Sequence, residues 1–280
     1  MMRKFLHMAL GNWTLSLGVL LLVLVFGVAL LAPVLYPGDP LDMAGPALKW
    51  PGEHPGAPLG TDSLGRDIAA GIFHGARISL LVGFLSIGVA LVIGILVGAF
   101  AGYYGGRVDN VLMRVTELFQ TIPQFMLAIV IIAILGPSIR AVIISLAVVS
   151  WPTVARLVRG EFMVLRERAF VQSCITIGMG DLRIIFAQIL PNALSSITVM
   201  TSVLIATAIL MESALSFLGF GDPNVLTWGT MIGMGRSQLR DAWYIIAIPG
   251  LALILTALAL NLVGEGLNDA LNPRLRKRKV

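Results

Sequence analysis

The sequence predicts an all-α polytopic membrane protein with six transmembrane helices. The mean hydropathy of the 280 residues is +0.90, with 57% hydrophobic and only 12% charged residues, too little polar surface for a soluble domain. Six apolar stretches, at 14–35, 78–102, 111–135, 139–158, 192–217 and 243–264, approach the roughly 20 residues a helix needs to cross a hydrocarbon core of about 30 Å. The loops between them differ sharply in basic charge.

Residues 1–35 read as a cytoplasmic N-terminus and a retained first span, because the apolar run after Arg3 and Lys4 is longer than a signal-peptide core. Residues 36–75 form an extracytoplasmic loop. With Pro33 it holds Pro37, Pro40, Pro46, Pro51, Pro55 and Pro58, which predicts an extended, irregular path. Asp62, Arg66 and Asp67 are expected to make an ion-pair and capping set at the outer mouth of the second span, with a short surface helix over 64–74.

The membrane core is expected over 76–265. In its second span Gly94, Gly98 and Gly102 recur every four residues, a ridge that lets another helix approach closely. Gly-Tyr-Tyr-Gly-Gly at 102–106 turns the chain inside. The third span begins with Arg114 and Glu117, has Pro123 near its inner end and closes at Gly136-Pro137. Trp151-Pro152 interrupts the fourth. Glu212 is the clearest ionisable group at membrane depth, where a charge costs about 2.5–3.5 kcal/mol on insertion scales. It is expected to line a path, contact a partner, be held neutral, or reach the outer interface. The loop 218–242 carries Trp228, followed by Trp243 and Tyr244, an aromatic belt around a short re-entrant or surface helix. Pro249-Gly250 is expected to interrupt the sixth span. The tail, 266–280, ends in a basic cluster suited to anionic headgroups.

Placing both termini inside puts 14 of the 20 Lys and Arg residues on the cytoplasmic side, the asymmetry of the positive-inside rule. The basic residues are dispersed over several loops, which excludes a nucleic-acid groove as the source of the pI near 9.8.

The long polar interruption of the apolar second half runs over 156–191 and carries Arg156, Arg159, Arg166, Arg168 and Arg183. A helix is expected over 161–177, with Met163, Phe170, Cys174 and Ile177 as its apolar stripe. Gly178 supplies a positive-φ stop, Gly180 loosens the turn, and Asp181 caps a second helix with Leu182, Ile185, Phe186 and Ile189 on one face. Arg183 and Gln188 point away, and Pro191 ends this helix and starts the next. These residues alone fit a hairpin on lipid headgroups and a docking site for a second protein equally well.

Several chemistries are excluded. No lysine follows a glycine, so no phosphate-cradling loop exists. His7, His54 and His74 lie too far apart in sequence for a zinc motif. Cys174 is the single cysteine, which rules out an internal disulfide. With Glu212 nearly alone at membrane depth, energy for moving a solute must enter from elsewhere. A stand-alone channel or ion-coupled carrier is the alternative class.

The interruption resembles the cytoplasmic loop of permease subunits in bacterial binding-protein-dependent ABC importers. That family's pattern is Glu-Ala-Ala, three residues, Gly, nine residues, then Ile-x-Leu-Pro. Here Gln172-Ser173-Cys174 precedes Gly178, and Gln188-Ile189-Leu190-Pro191 follows at the same spacing. Gln replaces Glu, Ser-Cys replaces Ala-Ala, and Gln188 replaces Ile. Gly60–Asp67, Gly75–Leu80, Gly105–Asp109, Glu212–Gly221, Trp228–Ile232 and Asn261–Arg274 extend the likeness, which is to the C-type subunit of dipeptide, oligopeptide and nickel systems. The resemblance implies a type I importer permease fold with a coupling helix in which Phe170, Gln172, Ser173, Gly178, Asp181, Arg183 and Pro191 contact an ATPase. It implies a second, different permease subunit, two ATPase subunits that bind ATP and Mg, and a periplasmic or lipid-anchored binding protein. No cofactor is expected in this chain, and the solute is a short peptide, with nickel or glutathione as alternatives.

Overall fold

A computed structural model describes residues 13–271. Arg3, Lys4 and His7, and the basic tail from Asn272 onward, lie outside the described residues. Within them the regular elements are all helical, with three isolated β-bridges in the loop before the second span. Below, the end of the bundle carrying that loop is the outer end and the opposite one the elbow end.

Helix α1 spans Trp13–Leu35 and α2 spans Ile68–Tyr104. At about 1.5 Å per residue, the 37 residues of α2 exceed the bilayer core. The expected surface helix at 64–74 is therefore absent as a separate element: from Ile68 it is the first part of α2. The Asp67 carboxylate caps it by accepting from the Ala69 amide at 2.9 Å. Burial raises the Asp67 carboxyl above its ordinary value, against the pull of the Ala69 and Ala70 amides. Asp62 accepts from the amides of Leu64 and Arg66. The capping half of the expected set thus forms without an ion pair to Arg66.

The third span departs most from expectation. It divides into α3, Gly106–Thr121, and α4, Gln124–Leu135, with an 83° bend between them. The residue before a proline is pushed out of the helical region, and Ile122 before Pro123 is extended at φ −93°, ψ 132°. Pro152 and Pro249 have the opposite outcome. Helix α5, Ile139–Arg166, and helix α9, Tyr244–Leu271, run through them, because neighbouring helices hold the chain where it loses one hydrogen bond.

The elbow consists of α6, Ala169–Thr176, and the start of a 37-residue helix α7, Asp181–Phe217. The expected helix over 161–177 is broken at Glu167-Arg168, with Arg168 extended at φ −75°, ψ 145°. The Pro191 boundary is also corrected. Residues Ile184–Ile189 form a π-helical segment, and its wider turn accommodates the proline without ending the rod. At the outer end α8, Trp228–Gly235, precedes the single turn Arg236–Gln238.

One apolar core joins the outer and middle portions of the spans, and a second, including Tyr103, Phe162, Val171, Ile184, Ile185 and Ile189, sits under the elbow. Helix α2 packs along α5, while α9 packs on α1 and α7. The proline-rich loop folds back on the bundle: the Tyr244 hydroxyl lies 2.9 Å from the Lys49 carbonyl and 3.1 Å from the Thr61 carbonyl.

Candidate functional site: the elbow and its links through the bundle

The turn of the elbow follows from one glycine. Gly178 has φ +77°, and the amides of Gly178 and Met179 donate to Ile175 O and Cys174 O at 3.0 Å each. This is the Schellman arrangement, which satisfies the last carbonyls of α6 and reverses the chain.

Burial divides the two helices into a locked face and a free one. Val171, Ile184, Ile185 and Ile189 are fully buried, whereas Phe170, Ile175, Ile177, Leu182 and Phe186 are exposed. Of the expected stripe, Cys174 packs part-buried against the core under the elbow, but Met163, Phe170 and Ile177 are exposed, and Phe162 and Val171 fill the core instead. The break at Arg168 resets the helical phase between them. In α7, Ile185 and Ile189 of the expected face are buried together with Ile184, while Leu182 and Phe186 are exposed; the π-helical turns over Ile184–Ile189 turn Phe186 away from its place on an α-helical wheel.

Polar groups of the motif bond mostly to their own backbone. Gln172 Nε2 donates to Arg166 O at 3.1 Å and Ser173 Oγ to Ala169 O at 2.9 Å, so the amide ties α6 to the end of α5 and the hydroxyl stiffens α6 itself. Asp181 makes no capping hydrogen bond; it accepts from the Tyr103 hydroxyl at 2.8 Å and so ties the elbow to the last turn of α2. Arg183 is exposed beside it. Nearby, Arg159 grips Asp109 through both Nε and Nη2, the latter at 2.6 Å from Oδ2, a bidentate pair that joins α5 to α3.

Along α2 the glycine ridge meets α5 directly. A Cβ on Gly94 would lie 2.5 Å from Val154 Cβ, one on Gly102 2.6 Å from Phe162 Cβ, and one on Gly98 would overlap the Ala155 carbonyl. The opposite run of small residues, Gly71, Gly75, Ser79 and Gly83, meets Met231, Trp228 and Ile209. The four-residue period of this second set is also present in the sequence.

Glu212 lies at the far end of α7 from the elbow and is 1% exposed. Expectations that it lines a path, touches a partner or reaches the interface are corrected by its surroundings. Oε1 accepts from Ser216 and Thr227, both at 2.8 Å, and Oε2 from Ser213 at 3.3 Å. Thr227 is also the N-cap of α8, in a capping box with Thr230. Trp228, expected in an interfacial belt, is buried; its indole donates to Ile72 O at 3.0 Å. Trp243 is exposed as expected, whereas Tyr244, expected beside it in the belt, is buried under the proline-rich loop. The carboxylate thus secures α8 to α7, and the indole secures α8 to α2. Among the described residues, no group of three or more His, Cys, Asp or Glu could hold a metal ion.

Residues 94–277 match the family of binding-protein-dependent transport system inner membrane components. A di/tripeptide transport system permease protein of Pseudomonas aeruginosa is 38% identical over 92% of this chain and 88% of its own length. A glutathione transport system permease protein of Pectobacterium atrosepticum is 42% identical over 78% of this chain and 73% of its own. A chain of the inward-facing MetNI methionine ABC transporter superposes with a TM-score of 0.60 at 18% identity, covering 72% of this chain and 96% of that one, which fixes the fold as that of an importer permease. A family match across most of the spans, with the elbow and the rod behind it, makes this chain a member of the binding-protein-dependent inner-membrane permeases of ABC importers.

Proposed function

We propose that this chain works in the import of short peptides, glutathione among them, with a second and different permease subunit beside it. Two ATPase subunits bind ATP and Mg and hydrolyse the nucleotide, a binding protein delivers solute at the outer end, and this chain carries no cofactor of its own. Both termini and the elbow face the cytosol. The names of the relatives support the solute class.

The observation that carries the coupling role is the continuity of α7 from Asp181 to Phe217. A docked ATPase moves Asp181, and because no flexible joint intervenes at Pro191, the outer end of the rod moves with it. On the free side Ile177 is 75% exposed and Leu182 59% exposed, offering apolar surface beside Gln172, Ser173 and Arg183 for a cleft in the ATPase. Phe170, Gly178 and Pro191 shape that presentation rather than supply its polar contacts.

The test is reconstitution of the full complex with Ile177→Asp and Leu182→Asp. Both positions are exposed, so the fold is preserved, unlike in a variant at buried Ile185. Binding-protein-stimulated ATPase and peptide uptake should fall at least about tenfold, with the two permease subunits still assembled. Undiminished stimulation and uptake would remove the elbow from the coupling path. Solute movement by the chain alone, without ATP, would replace the importer reading with that of a channel.

A further inference from the structure

At the outer end, a cavity of 340 Å³ opens between the end of α7, the loop that follows it and α8. Its walls include Phe217, Leu226 and Met234, together with Arg66 from the proline-rich loop and Arg236 from the turn after α8. Neither guanidinium forms an ion pair with a described acidic side chain; the Arg66 contact is Nη1 to Met234 Sδ at 3.5 Å. Asp222, the acid in the lining, is already engaged. Its Oδ2 accepts from the Ile139 amide at 3.2 Å and its Oδ1 from the Asn224 amide at 2.9 Å.

Arginine stays charged at any physiological pH and presents a planar set of donors matched to a carboxylate. Two such groups on separate elements, outnumbering the one acid of the lining, which is held on backbone amides rather than on either guanidinium, form an apolar-walled site for an anion with an apolar body. The volume lies at the small end of the range of about 300–1,000 Å³ typical of small-ligand sites, and the thioether of Met234 can adapt to different side chains. We infer that this cavity binds a carboxylate, the C-terminal carboxylate of a short peptide in transit, between Arg66 and Arg236. The identity of the solute rests on the proposed function; the carboxylate site rests on the cavity.

The experiment uses the assembled complex in nanodiscs, without binding protein, and alanyl-alanine as the probe against its C-terminal amide. Saturation-transfer NMR should give a signal for the free acid at least fivefold above that for the amide. Arg66→Gln with Arg236→Gln should abolish the difference, Arg66→Lys should restore part of it in the presence of Arg236, and Arg240→Gln, outside the cavity, should leave it intact. In binding-protein-driven uptake, the double variant should lower the rate at saturating binding protein without changing the half-saturating concentration. Equal signals for acid and amide in the wild type would overturn the site. So would a double variant that keeps the difference, or one that only raises the half-saturating concentration, which would mean that the cavity receives an acidic side chain of the binding protein. An acid-selective signal without peptide import would remove the proposed function and leave the site standing.

Discussion

The Tyr103 hydroxyl donates to Asp181 Oδ1 across 2.8 Å, joining the last turn of one span to the first residue of the rod that forms another. Tyr103 is 7% exposed, so the bond is shielded on the phenol side, and its partner stands at the exposed corner of the elbow. Loss of such a bond costs about 1 kcal/mol, a factor of about five in the population of the seated elbow. Tyr103→Phe should therefore speed tryptic cleavage at Arg168 and lower uptake per ATP hydrolysed. Asp181→Asn, which keeps an acceptor, should do less than Asp181→Ala; equal rates for all three and the wild type would show that the bond does not hold the elbow.

Gly98 and Gly88 lie in the same helix but differ in surroundings. A Cβ at Gly98 overlaps Ala155 O, whereas nothing lies within 4 Å of one at Gly88. Gly98→Ala should lower the thermal midpoint through about 1–3 kcal/mol of overpacking. Gly88→Ala should be neutral or stabilising by about 0.5–1 kcal/mol, since a helix interior favours alanine over glycine. Thermal unfolding of the detergent-solubilised complex distinguishes the two.

For Glu212, shape and hydrogen bonding can be separated by substitution. Glu212→Gln keeps an acceptor for Ser216 and Thr227, and its amide can donate to Ser213. Glu212→Leu leaves buried hydroxyls without their acceptor at about 1–3 kcal/mol for each group left unmade. The leucine variant should expose the α8 region to protease and lower the melting temperature; the glutamine variant should stay near wild type.

The Arg159–Asp109 pair is part-buried, with side-chain exposures of 32% and 14%. Asp109→Ala strands the guanidinium and should destabilise the elbow end by about 2 kcal/mol, measured by denaturant unfolding. Arg159→Lys, with Asp109 in place, should lose part of this stability, because an ammonium cannot make both bonds of the fork. No loss with lysine would show that charge alone, not the two-point geometry, is at work.

Local rules sufficed where the answer depended on one residue and its neighbours. Gly178 had to stop a helix, Asp67 had to cap one, and the glycines at 94, 98 and 102 had to meet a close partner; each outcome depends on sterics within a turn or on a four-residue period. The prolines show where such rules stop. Pro123, Pro152, Pro191 and Pro249 are the same residue in apolar helical contexts, yet of the four only Pro123 breaks its helix. Packing against neighbouring helices, or a π-helical turn in the case of Pro191, decides whether a missing hydrogen bond becomes a bend. Ser216 faces Glu212 by the four-residue period of one helix, but Thr227 carried no such local signal; it matters because the chain reverses after α7 and brings α8 back beside Glu212.

The sequence by itself determined the membrane class, the approximate positions of the apolar spans, the polar elbow and the motif spacing that marks the family, because hydropathy and helical period are properties of short segments. Only the tertiary structure decided that the elbow and its span are one rod, that Val171 and Ile184 rather than Ile177 and Leu182 are locked inward, and that Glu212 is a buried clamp. Those outcomes depend on helical phase accumulated across a break or a π-helical turn and on contacts between residues far apart in the chain, which no local window contains.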